Sequence, residues 1–222
     1  MGLDRKSYAR RWLSWHFGKK YKANEHQKAD WAFRNLVRRL GPQDLAIDCG
    51  ANIGVFTELM AARGATVHAF EPDPWTFAQL KTYFEGSKTV IPHQAAVGAA
   101  EGDVELFRHF EFDQDPARRS ESASVLRDKP NVDLSHAITV KQIDLAAFIE
   151  TLGRSVTVLK LDIEGAEFEV LGRLMDADLL HSIAHVFVET HDERIPSVAA
   201  AGAEIRARLK AGGYGNVNLD WR

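Results

Sequence analysis

The chain has 222 residues, 45% of them hydrophobic and 27% charged, with sixteen glycines and seven prolines, a globular composition that excludes a disordered or collagenous chain and suits one α/β domain with an extension. Its formal charge of −3 hides a split after Leu40: the first stretch carries eleven Lys or Arg against three Asp or Glu, the rest seventeen against twenty-eight. The body therefore lacks the basic footprint of a nucleic-acid binder, while the basic start suits phosphate, an anionic membrane, an acidic partner or the acidic body itself.

A single cysteine, Cys49, rules out an internal disulfide and a multi-cysteine zinc site. Inside the glycine turn described below, it reads as a small buried filler. With no apolar run of about 18 residues and no signal-peptide core near the start, the expected location is the cytoplasm.

In chain order, Tyr8, Trp12 and Trp15 fall on one helical face flanked by Arg10, Arg11, Lys19 and Lys20, which predicts an amphipathic basic helix. A second helix over residues 29–40 is closed by Gly41-Pro42. Residues 1–42 thus read as a basic helical extension and 43–222 as the main domain. Trp12, Trp15 and Trp31 serve either as a substrate or partner surface or as packing on the body. Strands follow at Leu45-Ala-Ile47, at residues 66–70 and at residues 89–92, separated by helices over 55–63 and 74–84. This alternation demands crossover connections, hence a doubly wound, mostly parallel sheet with helices on both faces. Residues 104–109 and 138–142 read as paired or edge strands around a long polar stretch, 111–136, of the kind that forms lids or binding loops. Strands at 156–161 and 185–189 flank a helix over 166–175, and a last helix covers 197–211.

The turn Asp48-Cys-Gly-Ala-Asn-Ile-Gly54 stands at the carboxyl end of the first strand, where α/β sheets bind ligands. Glu71, 21 residues beyond Gly50, is spaced to reach the two hydroxyls of a ribose. The dinucleotide fingerprint is missing, since Asn52 stands where it wants its middle glycine, and Asp48 repels a pyrophosphate. S-adenosylmethionine fits better, with its ribose on Glu71, its ammonium on Asp48 and its carboxylate on backbone N–H groups. A nicotinamide-dependent oxidoreductase and a non-catalytic adenosylmethionine-binding module are the alternatives.

Asp162 and Glu164 occupy the same sheet edge, as do Glu189 and His191 one strand along. Methyl transfer to a hydroxyl needs a base, and His191, oriented by Glu189 or Asp162, is the best candidate. The same four residues are hard or borderline ligands that would hold Mg²⁺ or Mn²⁺ if a metal were used, a reading not favoured here. Glu167 and Glu169 read as dipole-offsetting or solvated. Arg118, Arg119 and Arg127 in the polar stretch either clamp an anionic acceptor or belong to a solvated loop, with Ser122 and Ser124 beside the same opening.

Four segments together resemble the FkbM-like family of S-adenosylmethionine-dependent class I methyltransferases: Ala46-Ile-Asp-Cys-Gly-Ala-Asn-Ile-Gly-Val-Phe-Thr57, Val67-His-Ala-Phe-Glu-Pro-Asp73, Ala95-Ala-Val-Gly98, and Leu159-Lys-Leu-Asp-Ile-Glu-Gly-Ala-Glu-Phe-Glu-Val-Leu171 with Val188-Glu-Thr-His191. The resemblance implies a Rossmann-like, seven-stranded sheet. It also implies adenosylmethionine held by Asp48, Gly50, Ala51, Asn52, Gly54, Glu71, Pro72 and Asp162, with adenine near Ala96 and Val97. The implied reaction is O-methylation of a small-molecule hydroxyl, on a sugar or a glycosylated or secondary metabolite. Residues 214–219 leave little room for the last two strands of such a sheet. The N-terminal helices and residues 111–136 are expected to close over the acceptor.

Overall fold

The computed structural model describes residues 24–221, so Tyr8, Trp12 and Trp15 lie outside the described part. The first element, α1 (Glu25–Val37), starts four residues earlier than its apolar pattern indicates. Asn24 accepts from the Gln27 backbone N–H while the Gln27 side chain accepts from that of Asn24, a reciprocal cap that satisfies two otherwise orphaned donors.

The central strand β1 (Leu45–Cys49) is followed by α2 (Val55–Ala61), β2 (Thr66–Phe70), α3 (Pro74–Tyr83) and β3 (Val90–His93). A smaller unit comes next: β4 (Ala96–Gly98), β5 (Gly102–His109), the short α4 (Pro116–Arg119) and β6 (Val132–Asp144). The chain then returns to the main sheet through α5 (Leu145–Thr151), β7 (Val158–Leu161), α6 (Glu167–Asp176), β8 (His185–Val188), α7 (Ala199–Gly212) and β9 (Val217–Asn218). The main sheet runs β3-β2-β1-β7-β8-β9, every pair parallel. The expected seventh strand is not among the described residues, and β9 is two residues long.

Side chains alternate across a strand, and β1 shows the result. Leu45, Ile47 and Cys49 join a core with Leu145 and Ile149 of α5, Leu171 and Leu174 of α6, and Ile205 and Leu209 of α7. Ala46 joins the opposite core, with Phe33 of α1, Met60 of α2, Leu80 of α3, Phe187 and Trp221. Helices therefore cover both faces, as the doubly wound fold requires. Phe33 is fully buried, with its ring centroid 5.2 Å from those of Phe187 and Trp221, so α1 packs into the sheet; Trp31 on the same helix is 69% exposed.

The second sheet, β4-β6-β5, pairs β5 with β6 antiparallel at Val104↔Val140 and β4 with β6 parallel. The polar stretch between β5 and β6 is folded back on it: Phe107 and Ser124 exchange backbone hydrogen bonds at 2.8 and 2.9 Å. No helix among the described residues is long and apolar enough to cross a membrane.

Candidate active site

The carboxyl ends of β1, β2, β7 and β8 open into a cavity of about 310 Å³. Gly50, Ala51, Asn52, Glu71, Pro72, Ala96, Val97 and Asp162 line it, all of them expected from the sequence, as do Glu164 and Glu189. Facing them is a wall of residues 120–125 that the polar stretch supplies, including Glu121, Ser122 and Ser124. Ser120 ties this wall to the glycine turn by accepting from the Asn52 side-chain amide at 3.2 Å.

The turn is shaped by close approach. Gly50 has φ +76°, and a Cβ there would fall 1.8 Å from the Asp162 carbonyl oxygen, so only glycine lets the turn meet the end of β7. Gly54 is not in the cavity wall: it caps α2, with Leu80 and Phe84 against its α-carbon. The turn's N–H groups are committed internally. Those of Gly50 and Ala51 donate to the Phe70 carbonyl, that of Asn52 to Glu71 Oε2, and that of Ile53 to Asn52 Oδ1. They are thus not free to bind a ligand carboxylate, which corrects the role expected of them from the sequence. Glu71 also accepts from the Asp73 N–H. Burial lifts its carboxyl to about 8, with the Asp73 N–H pulling the other way.

Asp48 is likewise corrected: it is fully buried beneath the turn, accepting from the Thr57 hydroxyl at 2.6 Å and lying 3.1 Å from the Lys160 ammonium. Lys160, 1% exposed, is the residue the sequence reading passed over. Its Nζ donates to the Gly50 carbonyl at 2.9 Å and lies 3.4 Å from Asp162. Burial works against its charge, but Asp48 and Asp162 outweigh burial and hold it protonated. Cys49 is buried, and burial followed by Asp48 raises its thiol far above the usual range, which excludes a thiolate nucleophile.

His191 does not fit the role of base. It is 1% exposed, with Nδ1 3.0 Å from Glu167 Oε1 and Nε2 3.2 Å from Glu164 Oε2, so both ring nitrogens are engaged. Burial disfavours the imidazolium, yet the hydrogen bonds to Glu164 and Glu167 prevail and lift its pKa to about 11. A ring protonated on both nitrogens has no lone pair for a hydroxyl proton. Glu167 is not solvated but fully buried, accepting from the N–H groups of Ile163 and Gly165 as well as from His191. Glu164 binds Lys129 at 2.7 Å; burial raises its carboxyl, but His191 and Lys129 hold it below the ordinary value.

Asp162, Glu164 and His191 offer three possible metal-ligand atoms within 4.8 Å of one another. Their donor chemistry fits a divalent ion poorly, because Lys129 and the imidazolium already meet Glu164 and metal binding would have to displace a strongly held proton. The remaining carboxylates are less well balanced. Burial, followed by the charge of Asp162, raises Glu189 to about 7, with Arg194 3.7 Å away. Burial by the wall, then Asp162 and Glu164, raises Glu121 to about 7, and Asp162 is itself raised by burial against the pull of Lys160. Of the two readings of the arginines, the anionic clamp is not formed: Arg119 pairs with Glu111 and Arg127 with Glu105, and neither they nor Arg118 line the cavity.

Residues 48–215 match the Methyltransferase FkbM domain. The chain belongs to that methyltransferase family. Among its relatives, Methyltransferase 1 of Beauveria bassiana is 31% identical over 168 residues, 67% of this chain and 65% of that one, so the match spans just under two thirds of the fungal protein. The 31-O-demethyl-FK506 methyltransferase FkbM of Streptomyces tacrolimicus is 29% identical over 79% of this chain and 74% of its own. A solved rRNA methylase from Streptococcus thermophilus aligns over 83% of this chain and 81% of its own, at 9% identity and a TM-score of 0.43. The family match, over residues 48–215, includes the glycine turn, Glu71, Asp162, Glu189 and His191.

Proposed function

We infer that the protein is an S-adenosylmethionine-dependent methyltransferase that methylates a hydroxyl of a small, polyhydroxylated acceptor such as a sugar or a glycosylated metabolite. The observation that carries this reading is the charge of the cavity. Glu71, Glu121, Asp162, Glu164 and Glu189 line it against only Lys160 and Arg194 as cations, so the site is short of positive charge. S-adenosylmethionine, when bound, supplies a methyl group on a positively charged sulfur that departs as a neutral thioether, and its ammonium adds a second cationic centre. Glu71 uses one lone pair on each oxygen for the Asn52 and Asp73 N–H groups, which leaves acceptor capacity for a ribose diol. Ala96, Val97 and Leu106 supply an apolar slot suited to adenine.

Carboxylates that hold a sulfonium favour the ground state, because that charge disappears during transfer, so they contribute affinity more than rate. Acceleration must come from placing the acceptor oxygen in line and removing its proton. Glu189 is the base that suits the geometry: it lines the cavity, and its pKa of about 7 lets it take the hydroxyl proton at neutral pH. The O-directed reading is supported by the name of the Streptomyces relative, which acts on an O-demethyl compound. Glu121 and Ser122, polar residues of the wall that line the cavity, support a polyhydroxylated acceptor.

The test is calorimetric titration with S-adenosylhomocysteine and, separately, with NAD, on the wild type and on Glu71→Ala, followed by radiolabelled methyl transfer to a panel of sugar acceptors. S-adenosylhomocysteine binding that is lost in Glu71→Ala, together with base-stable labelled ether products, supports the reading. Binding of NAD alone overturns it.

A further inference from the structure

The wall of residues 120–125 and the residues just after it are fastened to the turn between β7 and α6 at three points. The Ser124 hydroxyl donates to the Glu164 carbonyl at 2.7 Å. Leu126 packs on Gly165, where a Cβ would fall 2.3 Å from Leu126 Cδ1. Lys129 reaches across both segments, its Nζ donating to the Ser122 carbonyl at 2.7 Å and lying 2.7 Å from Glu164 Oε2, with a side chain only 9% exposed. Ordering and burying a lysine is costly in rotamer freedom and solvation, so this placement must be held by what it joins.

Its partner is unusual. Glu164 is a non-glycine residue at φ +60°, a conformation that needs support from its surroundings. On the body side that support is the His191–Glu167 pair; on the wall side it is Lys129. Lys129, Glu164, His191 and Glu167 thus alternate in charge from the wall to the first turn of α6.

We propose that Lys129 is a positioning residue: by joining Ser122 to Glu164 it seats residues 120–125 as the outer wall of the cavity and so retains the bound cofactor. Removing the ammonium takes away one of these fastenings while Glu164 keeps its body-side partner, so the wall loosens and the domain stays folded. The retention half of this proposal rests on the adenosylmethionine reading, whereas the seating half does not.

The experiment compares Lys129→Met and Lys129→Arg with the wild type, using S-adenosylhomocysteine as probe and amide hydrogen exchange without ligand. Lys129→Met is expected to raise the dissociation rate of S-adenosylhomocysteine about tenfold with little change in association, and Lys129→Arg to recover most of the loss. Exchange should quicken over residues 120–128 and stay unchanged in β1 and α6. Wild-type dissociation with wild-type exchange in Lys129→Met overturns the proposal. So does exchange that quickens throughout the domain, which would make Lys129 a general stabiliser. If the wild type binds no S-adenosylhomocysteine, the cofactor reading and the retention half fail together, and exchange over 120–128 alone decides the seating.

Discussion

At the scale of single residues, one sheet edge holds carboxylates with opposite tasks, separated by their surroundings. Glu164 and Glu167 are held by cations or N–H groups and keep a shape; Glu189 is crowded by Asp162, has Arg194 only at 3.7 Å, and is available for proton transfer. On the acceptor that the enzyme uses, Glu189→Gln should lower kcat by about two to three orders of magnitude, the range for losing a general base, while the S-adenosylhomocysteine dissociation constant changes little. In the wild type kcat/KM should rise with pH through about 7 and then level, because the base must be ionised. A variant with wild-type turnover, or a profile that falls across that range, would remove Glu189 from the role. The sequence suggested these acidic residues and their common edge, but it could not tell base from brace. Glu164, Glu167 and Glu189 look alike in the chain, and only burial and partners contributed by Lys129, His191 and Arg194 distinguish them.

At the scale of elements, the alternation of strand and helix between residues 45 and 93 was legible because each segment is bounded by glycine or proline. Leu145–Thr151 was missed: at seven residues it is too short for an amphipathic stripe to stand out. A signal was present in Asp144, whose Oδ1 accepts from the N–H groups of Ala146 and Ala147 and whose Oδ2 pairs with Arg173 of α6. Asp144→Ala removes a helix cap and a partly buried ion pair together and should cost about 1–3 kcal/mol in urea unfolding. Asp144→Asn, which keeps the cap oxygen, should recover about half; equal stability of all three proteins would show that α5 needs no cap. The wall at residues 120–125 was illegible for another reason. Its order comes from Phe107, Asn52 and Glu164, all remote in sequence, whereas a polar stretch read alone carries no periodicity.

At the scale of the whole molecule, buried groups on different parts of the sheet make stability depend on pH in opposing directions. His93 and His68 hydrogen-bond to each other at 2.9 Å, and His93 stacks on Phe70 at 4.4 Å between centroids. Burial lowers both imidazoles, and with His68 nearby His93 falls to about 4. Below about pH 6.5 the unfolded chain takes up protons that folded His93 refuses, so its contribution is present above that pH and lost as pH falls toward 4. His191 acts in reverse: with its folded pKa raised to about 11, its contribution is complete below about 6.5 and lost as pH climbs toward 11. Glu71, raised to about 8, also withdraws stability as pH rises from about 4.5. Between about pH 4.5 and 6.5 the two kinds of limb therefore oppose each other, below that range the acid limb prevails, and above it the alkaline limb prevails. Urea unfolding between pH 4 and 10 should show His93→Phe flattening the acid limb alone and His191→Gln flattening the alkaline limb. An unchanged acid limb in His93→Phe would mean that the histidine pair is not what senses acid, and an unchanged alkaline limb in His191→Gln would contradict a charged imidazole between Glu164 and Glu167.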